Sequence, residues 1–297
     1  MPAIGDVDKR QAALALVNIA NGRHEPIPVY AEMSSINPVF VLPSALAART
    51  DAIAQGFVES LVLCAGQFCT NPGLVLAVDG PDLDRFIASA GKALASKAPQ
   101  VMLTPGIASA YRKGREQVQA VPGVETVASG AAAEAESHAA QAALYVTDAR
   151  NLLGHDALQA EMFGPASLIV KARDLQELLQ VAEHLEGQLT ATLQIDEPDL
   201  AAARKLVRVL ERKCGRILAN GFPTGVEVSH AMVHGGPFPA TSNAAHTSVG
   251  ATAIDRFLRP VCYQDLPDAL RPQALQQDNP LSIWRLIDGM PTRPRGI

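Results

Sequence analysis

Gly66-Gln67-Phe68-Cys69 sets a thiol directly after a glycine turn. A cysteine placed between an apolar helix and a strand can present its sulfur and its own backbone N–H to one point. That suits covalent acyl chemistry, in which a thiolate attacks a carbonyl and N–H donors hold the oxyanion. A buried structural cysteine fits the same four residues. The segment 30–38 carries one carboxylate, Glu32, between an apolar run and a polar turn. Glu32 is a candidate general base toward water or a thiol, or else a solvated loop carboxylate. Glu161-Met162-Phe163-Gly164-Pro165 precedes an apolar run. There a carboxylate can accept ribose hydroxyl bonds and a ring can pack on a flat cofactor. A turn with an ordinary core phenylalanine reads the same way.

These side chains need a frame, and the rest of the sequence supplies one. Of 297 residues, 48% are hydrophobic and 19% charged, enough apolar content for a sizeable core. Residues 9–22 have helical apolar spacing and end at Gly22, a C-cap. Residues 25–33 read as extended. Ser44 is placed to cap a helix through 46–61, and 62–78 read as a small-residue turn followed by a strand. Pro81 opens the next helix, and another runs through 109–120. The alanine-rich stretch 123–141 is weakly patterned. Strands follow at 144–149 and 167–172. Asp174 caps a helix closed by Gly187. Then come a strand at 189–195, a helix at 199–215 and a strand at 216–221. This alternation predicts an α/β fold with a largely parallel sheet flanked by helices. Residues 234–250 are too rich in Gly, Pro, Ser and Thr to be regular, and a loop that long is often functional. The last forty or so residues are punctuated by proline, with one short apolar strand at 257–263.

Net charge is −5 with no block of Lys or Arg, which argues against nucleic acid as a partner. No apolar run approaches the length of a membrane helix, about 20 residues, and residues 1–10 lack the pattern of a secretory signal. A cytoplasmic protein is expected. Its four cysteines, Cys64, Cys69, Cys214 and Cys262, form no C-x-x-C pair and no zinc-spaced cluster. They are expected to be free thiols, with no metal bound.

Taken in order, the three motifs read E-x-x-x-x-N-P, G-Q-x-C and E-x-F-G-P. In this order they resemble the aldehyde dehydrogenase superfamily, over nearly the whole chain. Longer strings narrow the resemblance to its α-ketoglutarate semialdehyde (2,5-dioxovalerate) dehydrogenase group: residues 25–43, 66–75, 161–170, 220–242 and 256–267. The resemblance implies that Cys69 forms a thiohemiacetal and then a thioester, that Glu32 activates the hydrolytic water, and that the Cys69 N–H donates to the oxyanion. It implies that Glu161 binds the nicotinamide ribose of NAD or NADP and that Phe163 flanks the nicotinamide. The loop 222–248 would shape the pocket of a small aldehyde substrate, with Phe222, His230, His234 and Ser248 as candidates, each equally suited to ordering the loop. The strand at 257–263 would extend a partner's sheet in a homo-oligomer.

The family carries a dinucleotide-binding domain of some 200 residues before its glutamate, and this chain has about thirty. Residues 1–34 are therefore read as a remnant of the NAD(P)-binding domain, 35–254 as the catalytic domain, and 255–297 as the oligomerisation strand and tail. Asp8-Lys9 stands where the family's glycine-serine turn is expected, and an acidic residue there would repel pyrophosphate. The chain thus reads as a truncated member. The competing expectations are a coenzyme-free thiol hydrolase or esterase using Cys69 and Glu32, and a fragment with only an oligomerisation role.

Overall fold

The computed structural model describes residues 9–134 and 137–292. The expectation placed on Asp8 lies outside the described residues. The chain divides into two compact units, one ending at Arg256 and one beginning at Phe257.

The first unit is built on a seven-stranded sheet. In chain order its strands are β1 (Val39–Val41), β2 (Leu74–Val78), β4 (Glu125–Ser129), β6 (Ala143–Asp148), β7 (Ala166–Ala172), β8 (Gln188–Gln194) and β9 (Cys214–Ala219). They lie in the order β4-β6-β7-β2-β1-β8-β9. Every pairing is parallel except β4 with β6 at one edge. Two short strands, β3 (Gln100–Val101) and β5 (Ala139–Ala140), pair separately.

Successive side chains of a strand face opposite ways, and both faces here are covered, so the central strands β1 and β2 are apolar throughout. On β2, Leu74 and Leu76 join one buried cluster while Val75 and Ala77 join the other. The first cluster is closed by α4 (Pro105–Gln119), α5 (Ala149–Gly154), α6 (Leu175–His184) and α7 (Leu200–Leu210). The second is closed by α2 (Pro43–Val62) and α3 (Pro81–Ala95), with Phe57, Leu61, Leu83 and Phe86 fully buried. Helix α1 (Lys9–Asn21) precedes the sheet and is tied to the connection between α6 and β8 by an ion pair from Arg10 to Glu186. The Gly22 N–H closes it on Asn18 O at 3.0 Å.

Helix starts follow two patterns. Asp174 caps α6 as expected, its carboxylate accepting from the Glu177 N–H at 2.8 Å. Ser44 does not cap α2. That helix begins one residue earlier at Pro43, and its open N–H groups on Ser44 and Ala45 donate to the two oxygens of Asp199, both at 2.9 Å. Proline at the first position removes one orphan donor, and a distant carboxylate serves the next two. Burial opposes the charge on Asp199, but these N–H donors and that of Asp196 outweigh it and hold the carboxyl below its ordinary value.

The second unit contains a hairpin of β10 (Arg285–Ile287) and β11 (Met290–Thr292). It turns at Asp288-Gly289, both with positive φ, the geometry that Asp-Gly turns favour. Residues 257–263 have no sheet partner among the described residues, and Phe257, Leu258, Val261 and Tyr263 are exposed. An edge strand needs a neighbour for its hydrogen bonds, and the described residues offer none there. Among the described residues no helix is long and apolar enough to cross a membrane.

Candidate active site

Cys69 lies at the end of a turn held in an unusual backbone state. After α2 the chain reverses through Cys64, Ala65 and Gly66, with φ of 49°, 57° and 64°. Left-handed backbone in consecutive residues is costly for L side chains and collects at functional sites. Local bonds hold it: the Ala65 N–H donates to Gln100 Oε1 at 2.8 Å, and Gln67 Oε1 accepts from the Leu103 N–H at 2.9 Å. A Cβ on Gly66 would stand 2.3 Å from the carbonyl carbon of Gly164. The glycines of the G-Q-x-C and E-x-F-G-P strings therefore bring those two turns together.

Asn37 fixes the far side of the turn. It is fully buried with φ of 47°. Its Nδ2 donates to Cys69 O and Asn71 O, both at 2.9 Å, and its Oδ1 accepts from the hydroxyls of Ser35 at 2.8 Å and Thr190 at 3.0 Å. Gln188 Oε1 accepts from the N–H groups of Ile36 and Asn37 and from the Ser35 hydroxyl. Asn71 Nδ2 donates to Gly164 O at 3.0 Å. Asn37, Asn71, Gly164 and Gln188 all stand just before or at the first residue of β1, β2, β7 and β8. The site is thus at the amino end of the parallel strands, whereas open α/β sheets commonly bind ligands beyond the carboxyl end.

Glu32 and His234 meet the sulfur from outside this knot. The segment before β1 pairs with the long loop: the Met33 N–H donates to Ala240 O and the Ser242 N–H to Ala31 O, both at 2.9 Å, with a bridge between Glu32 and Thr241. His234 Nε2 lies 3.4 Å from Cys69 Sγ and 2.8 Å from Glu32 Oε2. The sulfur, a ring nitrogen and a carboxylate oxygen all fall within 4.8 Å of one another. No zinc spacing appears in the sequence, yet this trio, assembled from three separate segments, is a donor set that a divalent ion could use.

The other candidate residues take different places. Glu161 and Phe163 line a crevice of about 10 Å³ with Ser35, Ile36, Gly66 and Asn71, beside the Cys69 turn. Ser248 orders the loop: its hydroxyl donates to His234 O at 3.0 Å, while the His234 N–H donates to Thr247 Oγ1 at 2.8 Å. His230 is exposed, and its carbonyl accepts from the Ala251 N–H. Phe222 is partly buried and packs on Gly56 and Phe57 at the edge of the α2–α3 cluster. Of the remaining thiols, Cys64 and Cys262 are exposed and Cys214 is buried, its thiol pushed up to about 12 by burial. A thiol so raised is inert at neutral pH.

The family model described as "Aldehyde dehydrogenase family" matches residues 15–257, a span that holds every residue of this site. The chain belongs to the aldehyde dehydrogenase family. It is 64% identical over 287 residues to alpha-ketoglutaric semialdehyde dehydrogenase 2 of Azospirillum brasilense, a match covering 97% of this chain and 54% of that protein. It is 47% identical over 292 residues to alpha-ketoglutaric semialdehyde dehydrogenase of Acinetobacter baylyi, covering 98% and 55%. The chain spans about half the length of the curated relatives it matches. Solved structures share the fold. Proline utilization A of Bdellovibrio bacteriovorus superposes with a TM-score of 0.70 at 18% identity, over 86% of this chain and 26% of that one. Betaine aldehyde dehydrogenase of Staphylococcus aureus in complex with NAD+ gives 0.68 at 14%, over 86% and 50%.

The state of His234 sets the charge beside the Cys69 sulfur. Its imidazole is pushed up to about 9 by its hydrogen bond to Cys69 and by Glu32, with burial opposing. The folded value lies above the unfolded one, about 6.5. The stabilisation is therefore full below about pH 6.5 and is lost as pH rises through about 9. Urea unfolding across that window is expected to show a fall in stability that His234→Phe lacks. An identical pH dependence in the two proteins would remove the charged imidazole from the account.

Proposed function

We propose that the chain carries the thiol and base of an enzyme that oxidises an aldehyde to a carboxylate with NAD or NADP, the aldehyde being α-ketoglutarate semialdehyde. The observation that carries this reading is the meeting of Cys69, His234 and Glu32 within 4.8 Å. The substrate is taken from the names of the two relatives above.

In this reading Cys69 Sγ attacks the aldehyde carbon as a thiolate, its charge faced by the protonated imidazole of His234. The carbonyl oxygen becomes the oxyanion of a thiohemiacetal, received by the Cys69 N–H. NAD or NADP, when bound, supplies the oxidant that takes the thiohemiacetal to a thioester. Glu32 then draws a proton from water, which attacks the thioester carbon. The C–S bond breaks, the carboxylate leaves, and the sulfur is regenerated. Glu161 and Phe163 suit the nicotinamide end of the coenzyme by chemistry, a carboxylate for ribose hydroxyls and a ring for a flat partner. Both line the crevice beside the thiol turn. Residues 1–34 belong in this reading to the coenzyme side, 35–254 to the catalytic part, and 255–297 to assembly with a second copy in the cytoplasm.

The test is to mix the chain with α-ketoglutarate semialdehyde and either coenzyme and follow reduced coenzyme. Turnover with one or both is the expected result. No turnover, together with Cys69 no more reactive to alkylation than Cys64 or Cys262, would overturn the reading. Because the trio needs no coenzyme to move protons, an activated ester is also expected to be hydrolysed slowly at Cys69 without one.

A further inference from the structure

We propose that Arg216 holds the carboxylate of an anionic aldehyde beside Cys69 and so selects for it. The inference rests on the aldehyde chemistry proposed above and adds the residue that reads the substrate's charge. Arg216 lies on β9 opposite Thr190 of β8. Paired residues of parallel strands point to one face, and the Thr190 hydroxyl points to Asn37, which in turn holds the Cys69 carbonyl. Arg216 thus stands on the nucleophile's side of the sheet.

The loop holding His234 presses against the same strand. A Cβ on Gly215 would meet Gly235 O at 2.3 Å, so the backbone beside Arg216 touches the residue after His234. Arg216 Nη2 donates to Pro223 O at 2.8 Å and Gly225 O at 3.2 Å, which fixes the guanidinium plane. Its Nη1 has a thioether contact with Met232 at 4.0 Å, and its Nε is buried with no hydrogen-bond partner. A buried charged donor with no acceptor in the protein is rare in native structures and needs a partner from outside it, a ligand or a water. A planar carboxylate is the acceptor that guanidinium donors match best. The setting agrees: burial draws the Arg216 pKa down, and the Cys69 sulfur, close enough to interact with its charge, draws it back up. An aldehyde carrying a carboxylate a few bonds from its carbonyl would span from Cys69 to this cation.

The test needs no coenzyme. The rate of Cys69 alkylation by iodoacetamide is read by peptide mass, with α-ketoglutarate as the anionic ligand and propanal as the neutral one. Both are expected to protect Cys69 in the unaltered chain. In Arg216→Gln, protection by α-ketoglutarate is expected to need at least about tenfold more ligand, with propanal unchanged, since one lost charge-assisted bond is worth about that factor. Arg216→Lys keeps a cation and is expected to fall between. Equal protection by α-ketoglutarate in Arg216→Gln and the unaltered chain would overturn the proposal. So would parallel loss of both ligands in Arg216→Gln and Arg216→Lys, which would make Arg216 only a staple for the loop at 223–225. Failure of propanal to protect the unaltered chain would sink the aldehyde reading itself, and this proposal with it.

Discussion

Cys69→Ala is expected to lower coenzyme reduction by α-ketoglutarate semialdehyde by a factor of about 10⁴ to 10⁶, the usual cost of removing a covalent nucleophile. The fold should not suffer. Cys69 is half-buried, and the bonds that hold its turn run through Ala65, Gln67 and its own backbone carbonyl, all of which the substitution keeps. The melting temperature is therefore expected to stay within a few degrees, and Cys64→Ala and Cys262→Ala to leave turnover within about twofold, as for other surface changes. A second readout is independent of turnover. The hydrogen bond to Cys69 is the largest influence raising the His234 pKa. In Cys69→Ala the imidazole is expected to titrate at lower pH than in the unaltered chain, as seen in its ring proton shifts. Residual turnover above about a tenth would remove Cys69 from the chemistry.

Gly66→Ala is expected to destabilise the chain by about 3 to 5 kcal/mol, among the larger effects of a single substitution. Two causes combine. At φ of 64°, any L side chain costs about 1–2 kcal/mol. The new methyl would also stand 2.3 Å from Gly164 C and 2.5 Å from Gly164 O and Pro165 N. These are backbone atoms, anchored through Asn71 and the start of β7, and they cannot swing aside as a side chain would. Urea unfolding measures the loss. Gly154→Ala is the control, because a Cβ there meets nothing within 4 Å, and it is expected to be neutral or stabilising by under about 1 kcal/mol. A loss below about 1 kcal/mol in Gly66→Ala would show that the two turns can separate.

What the sequence reveals here is what is local. Cys69, Glu32 and Glu161 each sit in a short string whose neighbours set the turn, and Asp174 caps its helix by simple spacing. The largely parallel sheet follows from the alternation of apolar runs and helical spacing. Asn37 stands in the same string as Glu32, but its task depends on Thr190, Asn71 and Gln188 arriving from elsewhere. No spacing rule joins residues up to 153 apart. Arg216 is hidden for the same reason, since only strand register puts it opposite Thr190. Strand β4 escapes notice because it is an edge strand with no fully buried residue, in an alanine-rich stretch. The terminal hairpin did carry a signal, Asp288-Gly289 between two short apolar runs, obscured by the prolines around it. Phe222 packs against Phe57 at the rim of the α2–α3 cluster, a contact that no local spacing announces.

The clamp on Cys69 also has a timetable. Asn37 precedes the cysteine, but Gln188 and Thr190, which orient Asn37, come much later, and His234 follows Cys69 by 165 residues. At about 5–20 residues per second of synthesis, roughly 10–30 s separate the thiol's emergence from that of its imidazole partner. Throughout that interval the nascent chain carries the cysteine without its imidazole partner. On the proposed mechanism, reactivity at this sulfur is completed late, when translation has reached the loop that carries His234.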